Sequence, residues 1–154
     1  MELRDYQLDI IKKGCKVLLD KGLLYLSMEV RTGKTLTSLG ICEGIQASNV
    51  LFITKKKAIS SIQSDYYMMA PIFEIEIINY ESLHKISDRK WDVIICDEAH
   101  SMGAFARASN RAKMVKKLLS KHKCKLILMS GTPTPESFSQ MYHQVYGHPN
   151  NPFA

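Results

Sequence analysis

The sequence predicts an α/β domain built on a mostly parallel sheet with helices on both faces, and three observations carry that prediction. Short apolar runs alternate along the chain with segments of helical spacing. The runs, such as VLFIT and VIIC, lack the polar alternation of a strand with one face in water, so they suit strands buried on both sides. Polar clusters follow the first, second, fourth and fifth runs, which gathers them along one carboxyl edge, where ligands bind in open parallel sheets.

Taken in order, Tyr6, Ile10, Ile11, Val17 and Leu18 recur at three-to-four spacing, so residues 5 to 20 form an amphipathic helix stopped near Lys21 and Gly22. Residues 23 to 28 make a buried strand, and residues 34 to 46 a helix whose Leu36, Leu39 and Cys42 face the sheet. Residues 50 to 54 are the second strand. Three lysines follow it, then a helical pattern through Ile59, Ile62 and Tyr66 that Pro71 ends. Residues 73 to 78, which alternate apolar with acidic, are the third strand, and residues 93 to 96 the fourth. A basic segment with Met114, Val115, Leu118 and Leu119 at helical spacing leads to a fifth strand over 125 to 129; a last helix covers 136 to 146.

With 154 residues and 45% apolar content, the chain is long enough for one core and too hydrophobic for disorder. Its net charge of +6 and pI near 9.1 point to an anionic partner, and nucleic acid, a membrane surface and a solvated face all fit. Cys15, Cys42, Cys96 and Cys124 form no C-x-x-C pair and read as reduced core thiols. No apolar run approaches membrane-spanning length and the first residues lack a leader's apolar region, so a cytoplasmic protein is expected.

The first strand runs into MEVRTGKT at 28 to 35, which closes on Gly-Lys-Thr at the start of a helix. Backbone N–H groups at a helix N-terminus, a lysine and a hydroxyl together suit a phosphate, although an ordinary strand-to-helix turn has the same outline. The complete P-loop pattern has a glycine where this chain has Met28. The fourth strand delivers Asp97 and Glu98 to the same edge. Two adjacent carboxylates there repel each other unless a cation such as the Mg²⁺ of a nucleoside triphosphate relieves them, one anchoring the metal and its neighbour polarising the attacking water. After strand five, Ser130 and Thr132 give small hydroxyls and Gly131 a flexible turn, which suits a switch sensing the carboxylate loop or a simple turn ending at Pro133.

The ordered set YQ at 6 to 7, RTGKT at 31 to 35, DEAH at 97 to 100 and SGTP at 130 to 133 resembles the first RecA-like lobe of superfamily-two helicases. The YQ form before the P-loop, INYESL at 78 to 83 and SGTPTPES are similar to the Swi/Snf-type DNA translocases, and RTGKT to compact members of phages and mobile elements. The resemblance covers essentially the whole chain and implies a RecA-like P-loop NTPase lobe over residues 1 to 154, using ATP and Mg²⁺.

Carried to matching positions, it implies that Gln7 reads adenine with Tyr6 and Arg4 in support, and that Thr32, Gly33, Lys34 and Thr35 surround the phosphates, while Arg31 either adds a phosphate contact or faces solvent. Asp97 and Thr35 would hold the metal and Glu98 would orient the hydrolytic water. His100, Ser130, Gly131 and Thr132 would couple nucleotide state to the nucleic-acid surface. Thr54, Lys55, Lys56, Lys57 and Tyr80 would face the nucleic acid, double-stranded DNA ahead of RNA, through salt-sensitive and sequence-independent contacts. Two departures stand out: Met28 and Arg31 replace small residues, and Lys55 stands where relatives carry proline.

Between positions 99 and 135 there are eight basic residues and no acid, which is either a second phosphate-facing stripe or a solvated helix face. Such motors close two lobes on ATP, the second supplying arginines. The chain has no second set of motifs, so weak or absent turnover is expected of it alone. The competing expectation is a nucleotide- or nucleic-acid-binding module without a motor role.

Overall fold

A computed structural model describes residues 5–27, 33–87, 89–97 and 110–130 of the chain. Among these residues there are five parallel strands: β1 (Leu23–Ser27), β2 (Asn49–Thr54), β3 (Glu74–Asn79), β4 (Val93–Cys96) and β5 (Lys125–Ser130). Their spatial order is β1-β5-β4-β2-β3. The helices are α1 (Asp5–Lys21), α2 (Lys34–Gly44), α3 (Ile59–Met69) and α4 (Asn110–His122), with 3₁₀ turns at Lys56–Ala58 and Tyr80–Lys85. The expected strands and helices are present to within a residue or two at most ends. The helix expected over 136 to 146 lies outside the described residues.

Successive side chains of a strand point to opposite faces, and the core divides accordingly. Val50, Phe52, Val93, Ile95, Ile127 and Met129 pack on one side with residues of α1, α2 and α3. Leu51, Ile53, Ile94, Cys96, Leu126 and Leu128 pack on the other with Val115 and Leu119 of α4 and with Tyr80 and Leu83. Two-sided burial explains why these strands read as continuous apolar runs. β3 lies at an edge and is only partly buried, which is why acids are tolerated there: Glu76 accepts bonds from Ser87, and Glu74 pairs with Arg89.

In α1 the buried stripe is Gln7, Gly14 and Leu18, with Ile10, Ile11 and Cys15 beside it. Val17, expected on that face, is 41% exposed. The reason is Gly14, which occupies a contact position without a side chain to mark it in the sequence. A Cβ there would come within 2.7 Å of Ile41 Cδ1, so its small size sets the approach of α1 to α2. Gly22, at φ 75°, ends α1 with its N–H bonded to the Leu18 carbonyl at 2.8 Å. At the end of α3, Ala70 takes the left-handed conformation immediately before Pro71.

All four cysteines are free. Burial pushes the Cys15 thiol up, pushes Cys124 up to about 12, and pushes the fully buried Cys42 and Cys96 higher still. Cys42 and Cys96 lie in the core as expected, while Cys15 and Cys124 are half-buried against it. Among the described residues no helix is long and apolar enough to cross a membrane.

Candidate nucleotide site at the carboxyl edge of the sheet

Gly33 caps α2 in the left-handed conformation, φ 75° and ψ 39°. Its carbonyl accepts from the Thr37 N–H at 3.0 Å and the Thr37 hydroxyl at 2.9 Å, and Gln7 Nε2 donates to it at 3.4 Å. A Cβ at position 33 would lie 2.1 Å from Gln7 Nε2. The backbone angle therefore favours glycine, and a side chain there would also displace the Gln7 amide. Ser38 donates to the Thr35 carbonyl at 2.8 Å, which further stiffens the first turn. The first amides of α2 have no intrahelical acceptor, and they meet the positive end of the helix dipole, so this turn is suited to an anion.

Opposite it stands Asp97, one residue past β4. Lys34 Nζ lies 3.1 Å from Asp97 Oδ1, and both side chains are buried. The other carboxylate oxygen, Oδ2, accepts from the buried Thr54 hydroxyl at 2.8 Å. The Asp97 N–H donates to the Ile53 carbonyl at 2.8 Å, and its own carbonyl accepts from Tyr80 Oη at 2.7 Å. A carboxylate held at every polar atom has a fixed direction, which a group meant to present an oxygen to a metal requires.

A cleft of about 370 Å³ opens between these elements. Residues 33 to 36 and Asp97 form one wall; Lys55, Lys57, Ala58, Ser61, Ile62 and Asp65 form the other. Ser61 and Asp65 were not singled out in the sequence. Positions 61 and 65 are four apart and so share one face of α3. Partial burial raises the Asp65 carboxyl above its ordinary range.

Of the expected nucleotide-site residues, Gln7, Gly33, Lys34, Thr35 and Asp97 come together, and Tyr6 stands on the first turn of α1 beside Gln7 with its ring partly exposed. Arg4, Arg31, Thr32, Glu98, His100, Gly131 and Thr132 lie outside the described residues. Ser130 is the last residue of β5, opposite Ser27 in register.

Two expectations are corrected. Thr54 and Tyr80 were expected to face nucleic acid, yet both are buried and both spend their hydroxyls on Asp97. They lie beneath it because β2 ends, and the 3₁₀ turn after β3 begins, directly behind Asp97. Lys55, Lys56 and Lys57 remain exposed, and Lys55 and Lys57 border the same cleft as Lys34.

The residues present fit a magnesium nucleotide. No group of three or more His, Cys, Asp or Glu suited to a metal occurs among the described residues. Mg²⁺ needs no such cage, because it is commonly held by one or two carboxylates, phosphate oxygens and water. Asp97 and Thr35 would hold it, and Lys34 and the first amides of α2 would hold the phosphates.

Residues 43–145 match the SNF2-related domain. A stretch of 65 residues is 34% identical to the RNA polymerase-associated protein RapA of Yersinia pestis (strain Pestoides F), covering 42% of this chain and 6% of that protein. Among solved structures, the Sulfolobus solfataricus SWI2/SNF2 ATPase core in complex with dsDNA superposes with a TM-score of 0.76 at 15% identity, over 94% of this chain and 36% of that one. The SWI2/SNF2 ATPase core domain of the same organism gives 0.72 at 16% identity, over 94% and 34%. A nuclease-deletion mutant of the Type ISP restriction-modification enzyme LlaGI, in complex with a DNA substrate mimic, gives 0.59 at 19% identity, over 88% and 18%. At such identities the three structures establish the fold, and this chain spans only a small part of RapA and about a third of each Sulfolobus structure.

Proposed function

This chain belongs to the SNF2-related domain family, and on that premise we propose that it is the ATP-binding first lobe of a DNA translocase. The observation that carries the reading is the buried Lys34–Asp97 pair facing a left-handed Gly33 at the start of α2. A lysine and an aspartate seldom enter a protein interior without a task, because each charge gives up its hydration. Here the pair holds the site neutral until a ligand arrives. Lys34 then turns to a phosphate oxygen, and Asp97 becomes available to a cation.

Magnesium, when bound, supplies positive charge to phosphoryl transfer. In this reading Gln7, bonded to Gly33, takes the base, and Glu98, one residue beyond Asp97, takes the attacking water. The exposed lysines 55 to 57 take a DNA backbone through phosphate contacts, without reading sequence. Arginines of a second lobe complete the charge stabilisation, so the chain alone turns over slowly.

The test is ATP hydrolysis by the protein that carries this chain, with duplex DNA, single-stranded DNA and RNA compared at fixed salt. Stimulation by duplex DNA, with Glu98→Gln retaining ATP binding and losing at least about 100-fold in turnover, supports the reading. Binding of ATP without turnover on any nucleic acid overturns the motor assignment in favour of a nucleotide-binding module. Undiminished turnover in Glu98→Gln removes Glu98 from its role.

A further inference from the structure

We infer that Thr54 is a positioning residue that ties the basic turn at residues 55–57 to Asp97, so that a phosphate chain on the turn and a magnesium nucleotide at Asp97 strengthen each other's binding. The inference rests on the proposed function. It gives a buried threonine, first expected at the nucleic-acid surface, a task between the two sites.

Parallel pairing sets the geometry. Ile53 and Cys96 are register partners, so Thr54 and Asp97 are each one step past the last pair of neighbouring strands. The Asp97 N–H reaches back to the Ile53 carbonyl, and the Thr54 hydroxyl closes on Asp97 Oδ2 at 2.8 Å. Thr54 is fully buried, so bulk water cannot replace that donor if strand and carboxylate part. The direction of Asp97 therefore follows the end of β2.

On its other side Thr54 is bonded directly to the lysine turn. Lys55 is extended, at φ −76° and ψ 148°, and the 3₁₀ turn that follows is closed by the Ala58 N–H on the Lys55 carbonyl at 3.0 Å. α3 begins at Ile59 with no intervening residue. A connector without slack cannot absorb a displacement of its lysines, and the shift passes to Thr54 and through its hydroxyl to the carboxylate. Lys55 and Lys57 also wall the cleft that holds Lys34 and Asp97, so the turn borders both ligands. Coupling between two binding sites is reciprocal, so the device works in either direction.

The experiment measures binding of this chain to a mixed-sequence duplex oligonucleotide at fixed salt, with and without magnesium and a non-hydrolysable ATP analogue. In the unmodified chain and in Thr54→Ser, the nucleotide tightens duplex binding about fivefold, at the lower end of typical couplings. In Thr54→Val, which keeps shape and loses the donor, the factor falls to within about twofold of one while each ligand still binds. A role confined to stability would weaken both ligands and leave the factor unchanged. A Thr54→Val protein that keeps the factor, or a Thr54→Ser protein that loses it as valine does, overturns the inference.

A measurement on the unmodified chain guards against a valine variant that does not fold. Magnesium nucleotide alone should slow hydrogen exchange at the Ala58 amide, and unchanged exchange refutes the link. A chain that binds both ligands without coupling overturns this inference only. A chain that binds neither overturns the proposed function and this inference with it.

Discussion

Lys13 Nζ lies 3.0 Å from Asp9, and Lys34 Nζ lies 3.1 Å from Asp97, yet the side chains of the first pair are 75% and 59% exposed and those of the second 8% and 7%. Chemistry and length are nearly the same. The surroundings differ: Lys13 and Asp9 are four residues apart on the outer face of α1, where water and salt screen them. Lys34 and Asp97 come from α2 and the end of β4, and Thr54 and Tyr80 fix the aspartate from below. Ion-pair distance by itself says little about function, whereas a charge pair kept out of water and braced by neighbours marks the site.

Three substitutions would sharpen or break that contrast. Lys34→Ala should have the largest effect, destabilising the chain by about 3 kcal/mol in urea unfolding, since Asp97 is left in the interior without its lysine. It should also abolish binding of a magnesium nucleotide. A loss no greater than that of a surface substitution would remove the distinction between the pairs. Tyr80→Phe should cost about 1–2 kcal/mol in the same measurement, because the buried Asp97 carbonyl loses its donor while the ring volume is kept. No change there would mean that Tyr80 does not brace Asp97. Lys13→Ala should change stability by less than about 0.5 kcal/mol, with the small loss of an i,i+4 pair offset by the helix preference of alanine. A loss above about 1 kcal/mol would contradict the screening account.

The legibility of this chain divides along the same line. β2, β4 and β5 were readable because burial on both faces leaves an unbroken apolar run, and α4 because Val115 and Leu119 repeat at helical spacing. Gly33, Lys34 and Asp97 were readable because each sits at the end of a strand or the start of a helix, with its chemistry written locally. Val17 was misplaced because Gly14 fills a contact on α1 without contributing hydrophobicity. The family resemblance puts Thr54 and Tyr80 at the nucleic-acid surface, whereas their burial beneath Asp97 depends on contacts 43 and 17 positions away in sequence.

The sequence by itself determined the element types, their order, the gathering of polar clusters at the carboxyl edge and the lysine and carboxylate on which the proposed ATP site depends. These follow from periodicity and end signals, which act over a few residues. Tertiary structure alone decided the order β1-β5-β4-β2-β3, the seating of Gln7 on Gly33, and the bracing of Asp97 by Thr54 and Tyr80. Those contacts join residues 17 to 43 positions apart. Their existence depends on strand register and on what lies behind a strand end, and local patterning carries neither.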